Sequence, residues 1–245
     1  MQDKFERLIY IAKHKMKNSN DPIHDLGHVS RVVNYTKLFI RDTNLSHTQK
    51  QSLILAAWWH DVARTVTKNP SFIWMPLVDD TISAIMLWIS TVRCGLFGAH
   101  VGIAMRIILC KSFGTRAIFT RILFKKRNRI LADILGDADT VDMLYQERAK
   151  AMMGLAETSK FYLFGYRAII WWSLKTAELH VKTEKARECL VEMLKMFINW
   201  VKEGAIYEWH VQQFGAKWVT KTIKQVENLL QHVISPKYKS VKICV

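Results

Sequence analysis

The sequence predicts an all-α protein, on three observations. Phe5, Leu8, Ile9 and Ala12 recur at i, i+3, i+4 and i+7, the apolar stripe of an amphipathic helix. Glycine and proline are scarce, 10 and four in 245 residues, and no Asn-Gly dipeptide marks a hairpin. Half of the residues are hydrophobic, enough to bury a large core rather than remain disordered.

Taken in order, residues 3–17 form the first amphipathic helix, which Asn18-Ser19-Asn20-Asp21-Pro22 breaks because proline disfavours helix in the residue before it. A second helix follows over 24–43, with Leu26, Val29, Val32, Val33, Leu38 and Phe39 turned inward. A third, over 48–65, carries the apolar run Leu53–Ala57 and then Trp58-Trp59-His60-Asp61-Val62-Ala63-Arg64. Asn69-Pro70 and Met75-Pro76 punctuate a loop, and Asp79-Asp80 suit the positive end of the next helix dipole. Residues 81–110 read as an apolar helical pair, split near Gly95 and Gly98 and assigned to the core. Beyond Asp137-Ala138-Asp139, helices are expected over 141–158, 161–181, 183–203 and 207–234, with Gly204 as a separator. Trp171, Trp172, Trp200, Trp209 and Trp218 recur at spacings that suit helix packing rather than a base-stacking surface. No repeat is present. A boundary near residue 155 would divide a helical domain, 1–155, from a C-terminal helical extension, 156–245, packed on it.

Charge is the strongest global feature. The formal net charge is +15 and the pI about 9.7, which attracts anions: phosphate esters, nucleic acid or anionic lipid. From Thr81 to Ala132 there is no acid, while Arg93, Arg106, Lys111, Arg116, Arg121, Lys125, Lys126, Arg127 and Arg129 all fall there. A solvated helix face and an anion-facing surface both account for this, and the 106–129 part is the candidate nucleic-acid contact. Cys94, Cys110, Cys189 and Cys244 are widely spaced without a C-x-x-C pair, and no signal peptide leads the sequence. Reduced thiols and a cytoplasmic location are the expectation. No stretch reaches the roughly 20 apolar residues of a membrane span, since Arg93 and Arg167 interrupt the best ones.

A His-Asp pair at the end of an apolar run needs partners, because an unpaired charge is costly to bury. Upstream, His24 and His28 are four apart on one helix face; downstream, Asp137 and Asp139 follow an apolar stretch. His28, His60, Asp61 and Asp139 together would supply two imidazoles and two carboxylates. That mixed set suits one divalent ion among Mn, Fe, Co, Ni and Zn better than Mg²⁺ or Ca²⁺, which prefer oxygen alone. Without a metal, the alternatives are a buried His60-Asp61 hydrogen bond, His28 paired with Asp25 or Asp21, and His24 as a turn-capping partner.

The order His28-x-x-Arg31, His60-Asp61-Val62-Ala63-Arg64, Asp137-Ala138-Asp139 resembles the H…HD…D signature of the HD-domain superfamily of metal-dependent phosphohydrolases, over roughly residues 20–145. The resemblance implies an all-α fold, metal held by His28, His60, Asp61 and Asp139, and catalytic positions at Asp61, Arg64 and His100. In that reading Arg64 lies near the substrate phosphate and His100 serves substrate or a second metal. It implies cleavage of a phosphate ester or phosphoanhydride, such as a nucleotide's, by metal-activated water. The chain departs from the pattern in having no histidine between His100 and Asp139, which favours one metal, and in having Thr140 where an arginine is frequent. Asp79 and Asp80 are the only counterparts of the acids some members carry near the dyad, so a general acid/base is unassigned. Two rival expectations are a non-catalytic HD-like module binding an anionic ligand or RNA, and a peripheral protein docking residues 81–110 on anionic lipid.

Overall fold

The computed structural model describes residues 2–66, 78–111, 116–175 and 179–239. Among them are twelve α-helices and two 3-10 turns, with no strand, so the all-α class holds. No helix among these residues is long and apolar enough to cross a membrane.

Helix α1 (Gln2–Lys17) buries Phe5, Leu8, Ile9, Ala12 and Met16, the stripe its sequence defines. The chain then turns on Asp21, whose Oδ1 accepts from the Ile23 and His24 backbone N–H groups at 2.9 and 3.2 Å, an Asx turn. Asp25 accepts from the His28 N–H at 2.7 Å and caps α2 (Leu26–Ile40). The second helix therefore starts at Leu26 rather than at 24, because side-chain oxygens take the first backbone donors, and it ends at Ile40 rather than 43. Helix α3 (His47–Trp59) opens with a capping box of Ser46 and Gln49. From Leu53 to Trp59 nearly every side chain is buried, and α1, α2, α5 and α7 all pack on α3. A helix apolar all round belongs at the centre of its fold.

The His-Asp pair does not continue this helix, contrary to the expected 48–65 span. Helix α3 ends at Trp59, and a 3-10 turn covers Val62–Thr65. The pair thus sits at a helix C-terminus, where backbone carbonyls lack intrahelical donors.

Helix α4 (Val78–Cys94) begins at Asp79-Asp80 as expected, and α5 (Ala99–Leu109) follows a turn at Gly95, whose φ of +59° few other residues adopt at low cost. In α5, Val101, Ala104, Ile107 and Ile108 are core. One face of α4, with Ile85, Trp88, Ile89 and Val92, is exposed, which corrects the assignment of the whole 81–110 pair to the interior. The Asn69-Pro70 and Met75-Pro76 loop and Cys244 lie outside the described residues; Cys94, Cys110 and Cys189 are not in disulfides.

Helices α6 (Arg116–Leu123) and α7 (Arg129–Asp142) lead back to the centre, and α7 is almost wholly buried from Leu131 onward. Then come α8 (Gln146–Thr158), α9 (Lys160–Lys175), α10 (Glu184–Val201), α11 (Gly204–Phe214) and α12 (Ala216–Ile234). The expected single helix 207–234 is two, broken at Gly215, where φ is +82°. The boundary near residue 155 falls inside α8. Helix α10 packs on both α2 and α7, and its Leu190 and Leu194 share one continuous core with α1–α7. Asp137 fastens this junction: its carboxylate accepts from the Lys182 and Thr183 N–H groups at 2.7–3.0 Å where α10 starts.

A smaller second core gathers Ala149, Met153, Ala156, Tyr166 and Trp200. Trp171 and Trp172 are not in either core. They are 52% and 44% exposed on α9, so the packing assignment fails for them and holds for Trp200.

Within the second core, His210 Nδ1 donates to the Ile206 carbonyl at 2.7 Å and Nε2 accepts from the Tyr166 hydroxyl at 2.8 Å. Burial holds His210 below its ordinary value, against the backbone bond, so the folded chain keeps it neutral while the unfolded chain takes up a proton below about pH 6.5. The unfolded state binds more protons in that window, and stability falls as pH falls. His210→Gln should flatten the decline in urea-unfolding free energy between pH 7 and 5 relative to wild type.

Candidate metal centre

Three elements meet at His28. Its ring is fully buried on α2, and both ring nitrogens face carboxylates. Nδ1 lies 2.7 Å from Asp142 Oδ2 of α7. Nε2 lies 3.1 Å from Asp61 Oδ2, 3.5 Å from Asp139 Oδ1 and 3.3 Å from His60 Nε2. His60 Nε2 is in turn 3.3 Å from Asp61 Oδ2. His28, His60 and Asp139 each offer one ligand atom within 4.8 Å of the others.

Local structure fixes the direction of each group. His60 Nδ1 is 2.7 Å from the Ala57 carbonyl, one of the donor-less carbonyls at the end of α3. A carbonyl only accepts, so Nδ1 carries hydrogen and the Nε2 lone pair points at the other three residues. Asp142 does the same for His28 and is itself held by a bidentate Arg31, at 2.6 and 3.2 Å. Arg31 stacks on Tyr145, 3.9 Å from its ring centre. A carboxylate behind each imidazole, or a carbonyl, is the outer support that metal-ligating histidines use.

The four inward atoms are therefore two imidazole nitrogens and two carboxylate oxygens, all acceptors when the rings are neutral. Adjacent ligands about 2.1 Å from a common ion lie about 3.0–3.4 Å apart in octahedral or tetrahedral arrangements; His28, His60 and Asp139 are the three whose ligand atoms are all mutually close, and Asp61 Oδ2 adjoins them through the two imidazoles, at 3.1 and 3.3 Å. Asp139 Oδ1 is buried and has no hydrogen-bond donor among the described residues, a cost that a cation would relieve. The donor set fits a divalent transition ion.

The charges point the same way. Burial opposes the ionisation of Asp61, but His60, Lys111 and His24 outweigh it and hold the carboxyl well below the usual range. Burial likewise opposes Asp139, and Lys111, His28 and Arg148 carry it far below. For His28, burial and Arg148 favour the neutral ring, yet Asp142, Asp61 and Asp139 raise its pKa. The carboxylates draw positive charge to Nε2, and a proton and a metal ion compete for that place.

Each aspartate has a second oxygen, and one lysine holds both. Lys111, just past α5, donates to Asp61 Oδ1 and stands 3.7 Å from Asp139 Oδ2. Arg148 of α8 lies 3.6 Å from both Asp139 Oδ1 and Asp142 Oδ2. The oxygens that a second ion would need are already matched by an ammonium. Access comes from this side: the Asp139 and Lys111 side chains are 19% and 15% exposed, whereas His28, His60 and Asp61 are closed off.

The structure brings together His28, His60, Asp61 and Asp139, and separates others. Arg64 is half of an ion pair with Asp79 at 2.8 Å, both mostly buried. Its guanidinium is held toward α4 by that pair, and its charge bears on Asp21 and His24. His100 opens α5, its ring edge-on to Phe5, while Lys111 follows the other end of that helix, roughly 15 Å away along the axis. His100 is not part of this cluster. His24 gives Nδ1 to Asp21 at 3.0 Å and stands edge-to-face with His28 at 5.7 Å. Burial first, then Arg64, hold it down to about 4, hence neutral.

Sequence reasoning missed Asp142, Lys111 and Arg148. Asp142 was detectable as the i+3 neighbour of Asp139, one turn on along the same helix face. Lys111 and Arg148 carry no such spacing signal. No family model, curated protein or solved structure matches this chain.

Lys111 compensates two buried carboxylates, and removing one partner of such a group leaves the others uncompensated. Lys111→Met should therefore cost about 3 kcal/mol in the metal-free protein, read from urea unfolding at neutral pH. An unchanged midpoint would show that the ammonium is not what holds the two aspartates.

Proposed function

We propose that the chain is a metal-dependent phosphohydrolase of the HD-domain kind, using one divalent ion to cleave a phosphate ester or phosphoanhydride. The observation that carries this reading is the meeting of His28 Nε2, His60 Nε2, Asp61 Oδ2 and Asp139 Oδ1 at 3.1–3.5 Å between neighbours, with an undonated Asp139 oxygen among them. When bound, a divalent ion supplies Lewis acidity toward water and toward a phosphoryl oxygen.

The chain's own residues do the rest. Asp142 and the Ala57 carbonyl keep both imidazoles oriented with their Nε2 lone pairs inward. The buried walls around His28, His60 and Asp61 exclude bulk water, so charges here act in a medium of low dielectric. Lys111 lies at the accessible edge with three donors on a flexible stem, and it can shift a donor from Asp61 to a phosphate oxygen. The chain's +15 charge favours the approach of phosphorylated substrates, nucleotides included.

A second reading rests on Arg121, Lys125 and Lys126, which are exposed on α6 and the turn after it. They suit a module that binds metal but acts by holding RNA or another anion. Steep salt dependence of RNA binding, lost on charge reversal at Lys125 and Lys126 without any hydrolysis, selects that reading.

The test is metal content together with turnover of a panel of nucleotides and phosphomonoesters in Mn²⁺, Co²⁺ or Ni²⁺. Wild type should retain one ion and hydrolyse a subset, Asp61→Ala should do neither, and Asp142→Asn should lose about 10- to 100-fold in metal affinity. Wild type and Asp61→Ala holding the same negligible metal, with no turnover in either, would end the enzyme reading.

A further inference from the structure

A second site lies beyond the C-terminal end of α7, and it is apolar. A cavity of about 100 Å³, partly open to the surface, is enclosed by α8, α9, α10, α11 and α12, with Met143 and Leu144 just past Asp142 forming one wall. Its lining contains no Asp, Glu, Lys or Arg. The one titratable imidazole there, His210, is kept neutral by burial and is engaged by Tyr166 and the Ile206 carbonyl.

One polar atom in this lining is left over. Ser173, on the inner face of α9, is buried, and its Oγ has no hydrogen-bond partner among the described residues. A serine inside a helix ordinarily returns its hydroxyl to the carbonyl one turn back; Ser30 does so with Leu26, at 2.7 Å. Ser173 forgoes that bond, and a buried hydroxyl without a partner carries a penalty.

From these features we infer that the cavity is a binding site for an uncharged, mainly apolar small molecule that inserts one ring or short chain and hydrogen-bonds Ser173. The size sets the inserted part. An engineered apolar cavity of roughly 150 Å³ holds benzene and stays dry without it; this one is somewhat smaller but open, so a larger ligand can leave its remainder outside. The absence of charge in the lining excludes an ionised group at the inner end, where nothing would offset its desolvation. The polar end meets the hydroxyl that lacks a partner. This inference is independent of the metal centre.

Phenol tests it in the full-length chain, as an apolar ring with one hydroxyl, and benzene is the control without the hydroxyl. Titration followed by calorimetry and by NMR shifts of Met143 and Ile170 should show saturable one-site binding of both. Ser173→Ala should weaken phenol about fivefold, the worth of one neutral hydrogen bond, leave benzene unchanged, and cost the unliganded protein no stability. Val226→Phe, which fills the cavity, should abolish both; if that variant unfolds, the Ser173→Ala comparison decides. The inference is overturned if phenol does not saturate, if it binds wild type and Ser173→Ala alike, or if Ser173→Ala is destabilised, since the hydroxyl would then be structural.

Discussion

His28 is buried with carboxylates at both of its ring nitrogens, and α2, α3 and α7 can pack only if that arrangement is compensated. Asp142 is 114 residues away in the chain and Asp61 is 33 away. Closing loops of that length is opposed by chain entropy, and burying three aspartates is opposed by desolvation. The compensation is local and specific: Arg31 forks onto Asp142, Lys111 spans Asp61 and Asp139, and Arg148 stands between Asp139 and Asp142. Each carboxylate is thereby kept ionised with one oxygen still turned to the imidazoles. A polar cluster of this kind fixes which helices meet and at what register, and here it leaves one place of concentrated negative potential.

That place lies where α3 stops. The helix is apolar all round from Leu53 to Trp59 and then gives up its last carbonyls, one of them to His60 Nδ1. The same termination that orients the imidazole also frees Asp61 to turn back toward α2, and the 3-10 turn that follows is pinned by the Ser83 hydroxyl to the Ala63 N–H at 3.0 Å. The chain thus uses the unavoidable unsatisfied end of its central helix as the scaffold for its most polar site. Past Asp142 the environment reverses: Met143 and Leu144, just beyond the end of α7, belong to the apolar cavity.

Much of this was legible in the sequence. The i, i+3, i+4, i+7 stripe of α1 and the uniformly apolar run of α3 define their burial directly, and His28, His60, Asp61 and Asp139 stand out as a donor set once a His-Asp pair is required to have partners. Helix ends were less legible, since they depend on side-chain caps: Asp25 shortens α2, and Gly215 divides what periodicity alone presents as one helix. Two of the compensating cations, Lys111 and Arg148, could not be read at all. Lys111 is one of nine basic residues in an acid-free stretch, and nothing in spacing distinguishes the one that folds inward from those that stay in water. His100 and Arg64 show the converse, residue types suited to a site that tertiary packing sends to the far end of α5 and to Asp79.

The central claim is that His28, His60, Asp61 and Asp139 hold one ion. X-ray absorption of the protein loaded with one equivalent of Co²⁺ or Zn²⁺ tests it most directly. The account predicts a first shell of two imidazole nitrogens and carboxylate oxygens at about 2.0–2.2 Å, with one imidazole lost in His60→Gln. Failure to retain the ion, or a shell without imidazole scattering, would contradict it.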